Sequence, residues 1–170
     1  MFIGIPTNVM RQYLAFQEGP QYCWAACTQM VFRRYGEERT QREIDVRGNG
    51  PNLFGLFPDR SGYSSSIEYN FNELIAGRFH CTHGEGAAAP GMLLDELGNH
   101  RPMIVGYDES PQDRHAIVIF GADFIQTNGW DVIQTIYVAD PFPGRGIRFW
   151  PAEQLCQSIF AHWRIYDNYN

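Results

Sequence analysis

Apolar positions recur with helical spacing in the first part of this chain and give way to strand-like runs after about residue 100. Between Cys23 and Tyr35, the residues Ala25, Ala26, Met30, Val31 and Phe32 supply the apolar positions of a helix, and Gly36 supplies a stop. Thr40-Gln41-Arg42-Glu43 has the spacing of a capping box and predicts a second helix from Thr40. Gly48 to Gly62 carry Gly and Pro repeatedly and read as a loop. A third helix is expected from about Ser66 to Ile75, and a fourth from Pro90 through Leu97, closed by Gly98. From Pro102 onward the runs Met103–Tyr107, His115–Gly121, Val132–Val138, Ile147–Trp150 and Ile159–Tyr166 read as about five strands, with a helical turn at Pro151–Leu155.

Helices first and antiparallel strands second make an α+β order without βαβ alternation. The 170 residues contain no internal repeat and suit one domain over 1–170. A helical part to about residue 100 is expected to pack on a sheet part from about residue 101, leaving a cleft between them.

Composition narrows the functional classes. Hydrophobic residues at 44% and charged residues at 19% are a folded-protein balance, which argues against disorder. No apolar run approaches the ~20 residues that span a bilayer, so no membrane role is expected. Met1 to Pro6 lacks the basic-then-apolar pattern of a signal peptide. The net charge is −6 and no Lys/Arg-rich run occurs, which disfavours nucleic acid as a partner. Cys23, Cys27, Cys81 and Cys156 are expected to stay free thiols in a reducing compartment, because a core of this size does not need disulfides.

Chemistry concentrates in Gln17-Glu18-Gly19-Pro20-Gln21-Tyr22-Cys23-Trp24-Ala25-Ala26-Cys27. Gly19-Pro20 breaks the chain just before a helix, which puts Cys23 at the helix N-terminus. Free N–H groups and the macrodipole there favour a thiolate, and the thiolate is the nucleophile. Gln17 lies where a side-chain amide could turn back beside the Cys23 N–H, giving two donors for a developing oxyanion. Cys27, one turn later, reads as core, and Cys156 as buried and inert.

A Gln six residues before a Cys-Trp-Ala that opens a helix resembles the nucleophile segment of papain-like cysteine peptidases. The similarity is to their compact bacterial branches, the peptidase domains of bacteriocin-exporting transporters and the effector proteases injected into host cells. His115-Ala116-Ile117-Val118-Ile119-Phe120-Gly121 resembles that family's His-Ala strand, and Val138-Ala139-Asp140-Pro141 its strand-ending Asp-Pro. Met92 to Leu97 followed by Arg101-Pro102-Met103-Ile104 is similar to the lead-in to the first sheet strand. The resemblance spans roughly residues 12 to 142. It implies a papain-like fold and hydrolysis of peptide bonds in a protein or peptide substrate by Cys23, His115, Asp140 and Gln17, with no cofactor.

Asp140 is expected to accept from Nδ1 of His115 and so orient it. Asn128 is the alternative, since Asn128-Gly129-Trp130 resembles the Asn-x-Trp of plant and lysosomal relatives, although Asn-Gly is also ordinary hairpin-turn chemistry. The same apparatus serves a deamidase or an acyltransferase equally well. A different class, a non-catalytic zinc or protein-binding module, rests on Phe79-His80-Cys81-Thr82-His83, which could join Cys23 or Cys27 around zinc. That spacing is not the paired Cys-x-x-Cys of a finger. The bland reading puts His80 and His83 on a polar loop with Cys81 pointing inward, and makes His162 structural. By analogy with the effector branch, a small chain without propeptide or signal is expected to be a bacterial toxin or effector acting in a target cell's cytoplasm, or the peptidase part of a larger protein. A toxin implies a cognate inhibitor or immunity protein.

Overall fold

The computed structural model describes residues 1–50, 64–74 and 77–169. Strand β1 (Phe2–Gly4), helix α1 (Thr7–Met10) and a 3₁₀ turn (Arg11–Tyr13) precede helices α2 (Cys23–Arg34), α3 (Gln41–Asn49) and α4 (Ser64–Leu74). Strand β2 (Phe79–Glu85) and helix α5 (Pro90–Gly98) follow, then strands β3 (Met103–Asp108), β4 (Arg114–Thr127), β5 (Trp130–Asp140) and β6 (Gly146–Pro151). Helix α6 (Ala152–Ser158) and strand β7 (Ile159–Asp167) complete the order. The architecture is α+β, as expected.

Local signals explain most of these elements. Thr40 caps α3 through the expected box: Glu43 N–H donates to Thr40 Oγ1 at 3.2 Å, and Thr40 N–H donates to Glu43 Oε2 at 2.7 Å. The loop read from Gly48 begins later, because Gly48 and Asn49 still belong to α3, and its remainder from residue 51 lies outside the described residues. Ile75, the expected end of the third helix, also lies outside them. Helix α2 is buried from Trp24 through Phe32, and the two polar residues in that stretch are satisfied, Thr28 Oγ1 donating to Trp24 O at 2.9 Å and Gln29 Nε2 to Arg39 O at 2.6 Å.

Among the described residues the strands form one antiparallel seven-stranded sheet in the order β2-β7-β3-β4-β5-β6, with β1 added beside β4. Two of its strands thus come from the first hundred residues, which the hydropathy pattern assigns to helix and loop. The polar loop expected around His80 and His83 is strand β2, paired along its whole length with β7 from Phe79↔Asp167 to Glu85↔Ala161. Its alternation rests on Phe79 and Cys81 alone, and pairing with β7 overrides the weak local preference.

Helices α2 to α4 pack on one face of the sheet, and α5 and α6 cover the other. On β4, Ala116, Val118 and Phe120 face α2, while Ile117 and Ile119 join Leu93 and Leu97 of α5 and Leu155 of α6. Burial on both faces explains the unbroken apolar run at the start of β4. A bulge between Ile119 and Gly121 then resets the alternation, so Ala122 joins the second cluster.

Candidate active site

Cys23 is the first residue of α2 and is half-buried. The turn that places it is closed by Tyr22 N–H donating to Gly19 O at 3.1 Å. The segment ahead of it is tied to the end of β5 by Gln17 N–H donating to Pro141 O at 2.9 Å. That bond brings the start of α2 to the strand ends bearing His115 and Asp140.

His115 is the second residue of β4 and Asp140 the last of β5. The register sets Val118 opposite Ala139, so Asp140 lies diagonally across from His115. Asp140 Oδ1 stands 2.8 Å from His115 Nε2. Cys23 lines the same cleft as the His115 imidazole and favours its protonated form. Because Asp140 holds Nε2, the nitrogen left for Cys23 is Nδ1, the reverse of the tautomer expected from sequence. Strand direction decides this: the ring is reached by the carboxylate from the β5 side and by the thiol from the α2 side.

Charge in the site is strongly shaped. Burial of His115 opposes its protonation, but the hydrogen bond to Asp140 and the influence of Cys23 outweigh it and raise the imidazole pKa to about 9. Burial of Asp140 acts the other way from its partners, and bonds from His115, the Phe142 N–H and Arg148 win and lower its pKa. Phe142 N–H reaches Asp140 Oδ1 at 2.9 Å across the Pro141 turn. Arg148 Nη1 is 3.1 Å and Arg145 Nη1 3.5 Å from Asp140 Oδ2, and Arg145 also pairs with Glu109.

Cys23, His115 and Gln17 line one cleft of about 520 Å³, together with Gln21, Glu109 and Phe142. A larger hollow of about 700 Å³ beside α3 is lined by Arg39, Arg47 and Tyr69 among others, with no cysteine or histidine. Chemistry rather than size therefore marks the candidate site. The Gln17 amide is held within its own turn. Its Nε2 donates to Gly19 O at 3.0 Å and Pro20 O at 3.2 Å, and its Oε1 is buried without a partner.

The remaining candidates stay apart from this cluster. Asn128 and Gly129 have φ of 53° and 81° and turn the β4–β5 hairpin between the paired residues Thr127 and Trp130. About 12 residues of β4, roughly 40 Å of strand, separate Asn128 from His115, so Asn128 is not brought to the site. On β2, alternation sends His80 to the face opposite Cys81 and His83; His80 stacks on Tyr166 and His83 lies against Trp163. Those three cannot converge on a metal, and among the described residues no group of three or more His, Cys, Asp or Glu could hold one. Cys27 and Cys81 are buried and, like half-buried Cys156, have thiol pKa values pushed up chiefly by burial. All four cysteines are free. No described helix is long and apolar enough to cross a membrane.

The two arginines on Asp140 were not legible as site residues in sequence. Arg148 lies inside the short β6, where Asp140 pairs with Gly146 and Val138 with Arg148. A strand period that puts Arg148 and Trp150 on one face was the available signal.

No family model and no curated protein sequence matches the chain. Solved structures do. The peptidase domain of Streptococcus ComA, a bi-functional ABC transporter involved in a quorum-sensing pathway, superposes with a TM-score of 0.67 at 15% identity, covering 91% of this chain and 98% of that one. The peptidase domain of Streptococcus mutans ComA gives a TM-score of 0.58 at 14% identity, with coverage of 91% and 98%. Helix α2 set against an antiparallel sheet is thus part of a fold shared with these peptidase domains, and the chain has an α+β papain-like fold.

Proposed function

We propose that this chain is a cysteine peptidase that hydrolyses peptide bonds of a protein or peptide substrate. The observation that carries the reading is one imidazole, His115, paired with Asp140 at 2.8 Å and sharing a cleft with Cys23 at the start of α2. In the proposed reaction the Cys23 thiolate attacks the carbonyl carbon and the carbonyl oxygen takes up the charge. The Cys23 N–H and Gln17 Nε2 donate to that oxygen, the amide exchanging a turn carbonyl for it. His115 then passes its Nδ1 proton to the leaving nitrogen as the C–N bond breaks, leaving a thioester. Water gives a proton back to Nδ1 and attacks the thioester, and the C–S bond breaks to regenerate thiolate and imidazolium. Asp140 holds the ring throughout.

We place the reaction in a reducing compartment, in keeping with four free thiols. A role as a delivered toxin or effector, with a cognate inhibitor as second partner, rests on analogy with the effector branch. The test is proteomic mapping of new protein termini in cells expressing wild type or Cys23→Ala. New termini confined to wild type are expected. Glutamine-to-glutamate conversion without new termini would assign a deamidase instead, and neither change would overturn the reading.

A further inference from the structure

Asp140 is held more firmly than the orientation of one ring requires. Oδ1 serves His115 and the Phe142 N–H, and Oδ2 serves Arg148 with Arg145 behind it. Arg145 divides its charge between Asp140 and Glu109. Among the described residues Arg148 has Asp140 as its acidic partner, and its guanidinium carbon lies 4.7 Å from the Trp150 ring centroid. Trp150 in turn meets Tyr107 edge-on at 6.0 Å, and Tyr107 meets His115 edge-on at 5.8 Å. A closed ring of contacts thus runs from Arg148 through Trp150 and Tyr107 to His115, and back through Asp140.

We propose that Arg148 is a positioning residue of the site: by gripping Oδ2 it keeps Oδ1 on Nε2 of His115 and so leaves Nδ1 facing Cys23. This rests on the peptidase reading of the same site. Arg148 acts on His115 in two opposing ways. Its charge offsets part of the carboxylate's and makes the ring less basic, whereas its grip preserves the direct bond that makes the ring more basic. Its head is partly solvated and acts across the carboxylate, so screening weakens the first effect. The Oδ1–Nε2 bond is buried and unscreened, so the second dominates. The other polar groups facing the pair are Cys23 and Cys27 from α2, Tyr107 from β3 and, through Arg145, Glu109.

The experiment is a ¹⁵N NMR titration of the His115 imidazole in wild type, Arg148→Met, Arg148→Lys and Arg145→Met, alongside turnover of a peptide substrate. Methionine keeps an apolar stem over Trp150 and removes the grip. The His115 midpoint should fall in Arg148→Met from its wild-type value of about 9. Turnover should drop about 10–100-fold with KM within a few fold, as when a residue that orients a ligand is lost. Lysine should recover much of both, and Arg145→Met should move the midpoint less. A midpoint that stays put or rises in Arg148→Met overturns the proposal, as does a loss confined to melting temperature. The titration needs no turnover. If wild type cleaves no peptide while the midpoint falls as stated, the peptidase reading fails and the positioning role stands.

Discussion

His115 and His162 are equally buried, 7% exposed each, and both lie on strands of one sheet. Their surroundings differ in kind. His115 sits between a thiol and a carboxylate that two arginines hold. His162 bonds through Nδ1 to Gly86 O at 2.8 Å and fills the space left by Gly84, where a Cβ would come 2.4 Å from the ring. Both rings satisfy the rule that a buried polar group needs a partner. Only one has partners whose charge can change, and the proposed reaction needs such partners.

The widest gap between the two regions should come from deletion. His115→Ala, like Cys23→Ala, should cut turnover by more than about 10³ with the fold retained. His162→Ala should hold turnover within a few fold while losing about 1–3 kcal/mol of stability to a cavity and an unpaired carbonyl. Steady-state kinetics beside urea unfolding reads both, and equal kinetic losses would erase the distinction. In the same preparations Cys23 should be the first thiol alkylated by iodoacetamide, ahead of Cys27, Cys81 and Cys156, as scored by peptide mass spectrometry.

Asp140→Ala should lower turnover by about 10²–10⁴, whereas Asn128→Ala at the hairpin tip should change it little. The reverse ranking would return the orienting role to Asn128. Gln17→Ala should lower kcat by about 10²–10³ with KM within a few fold and Cys23 still alkylated. Near-wild-type turnover on a genuine substrate would place the oxyanion donors elsewhere.

The smallest effect concerns pH. A pKa of about 9 in the folded state stands above the ordinary 6.5 of His115, so its protonation stabilises the fold fully below pH 6.5 and ceases to as pH rises through 9. Melting temperature should therefore decline across pH 6.5–9, and the decline should shrink in His115→Gln. Asp140 acts with the opposite sign: its lowered pKa stabilises the fold above its ordinary 3.8, a contribution lost as pH falls below that. A His115→Gln melting curve with the wild-type slope would assign the dependence to other groups.

Sequence was informative where chemistry is local. Gly19-Pro20 before Cys23, the Thr40 box and the turn after Asp140 each act within a few residues, and each is where it was expected. Asn128 was a coherent alternative on motif grounds, yet its turn geometry fixes it at the hairpin tip. The misread features depend on distant chain. Strand β2 owes its form to β7, the ring nitrogen facing Cys23 depends on which element approaches from which side, and Arg148 gains meaning only when β6 pairs with β5. The bonds of the Gln17 amide to carbonyls of its own turn are likewise encoded in no residue pattern.

Strand β4 has a kinetic consequence. Its long hairpin with β5 joins sequence neighbours and can close early, bringing His115 and Asp140 together. Cys23 comes from a helix far earlier in the chain and reaches them only when α2 docks on that hairpin, a closure of high contact order and correspondingly slow. A refolding chain should therefore gain its imidazole–carboxylate pair before Cys23 joins it. Pulsed alkylation during refolding would then time the arrival of α2, with the Cys23 thiol itself as the clock.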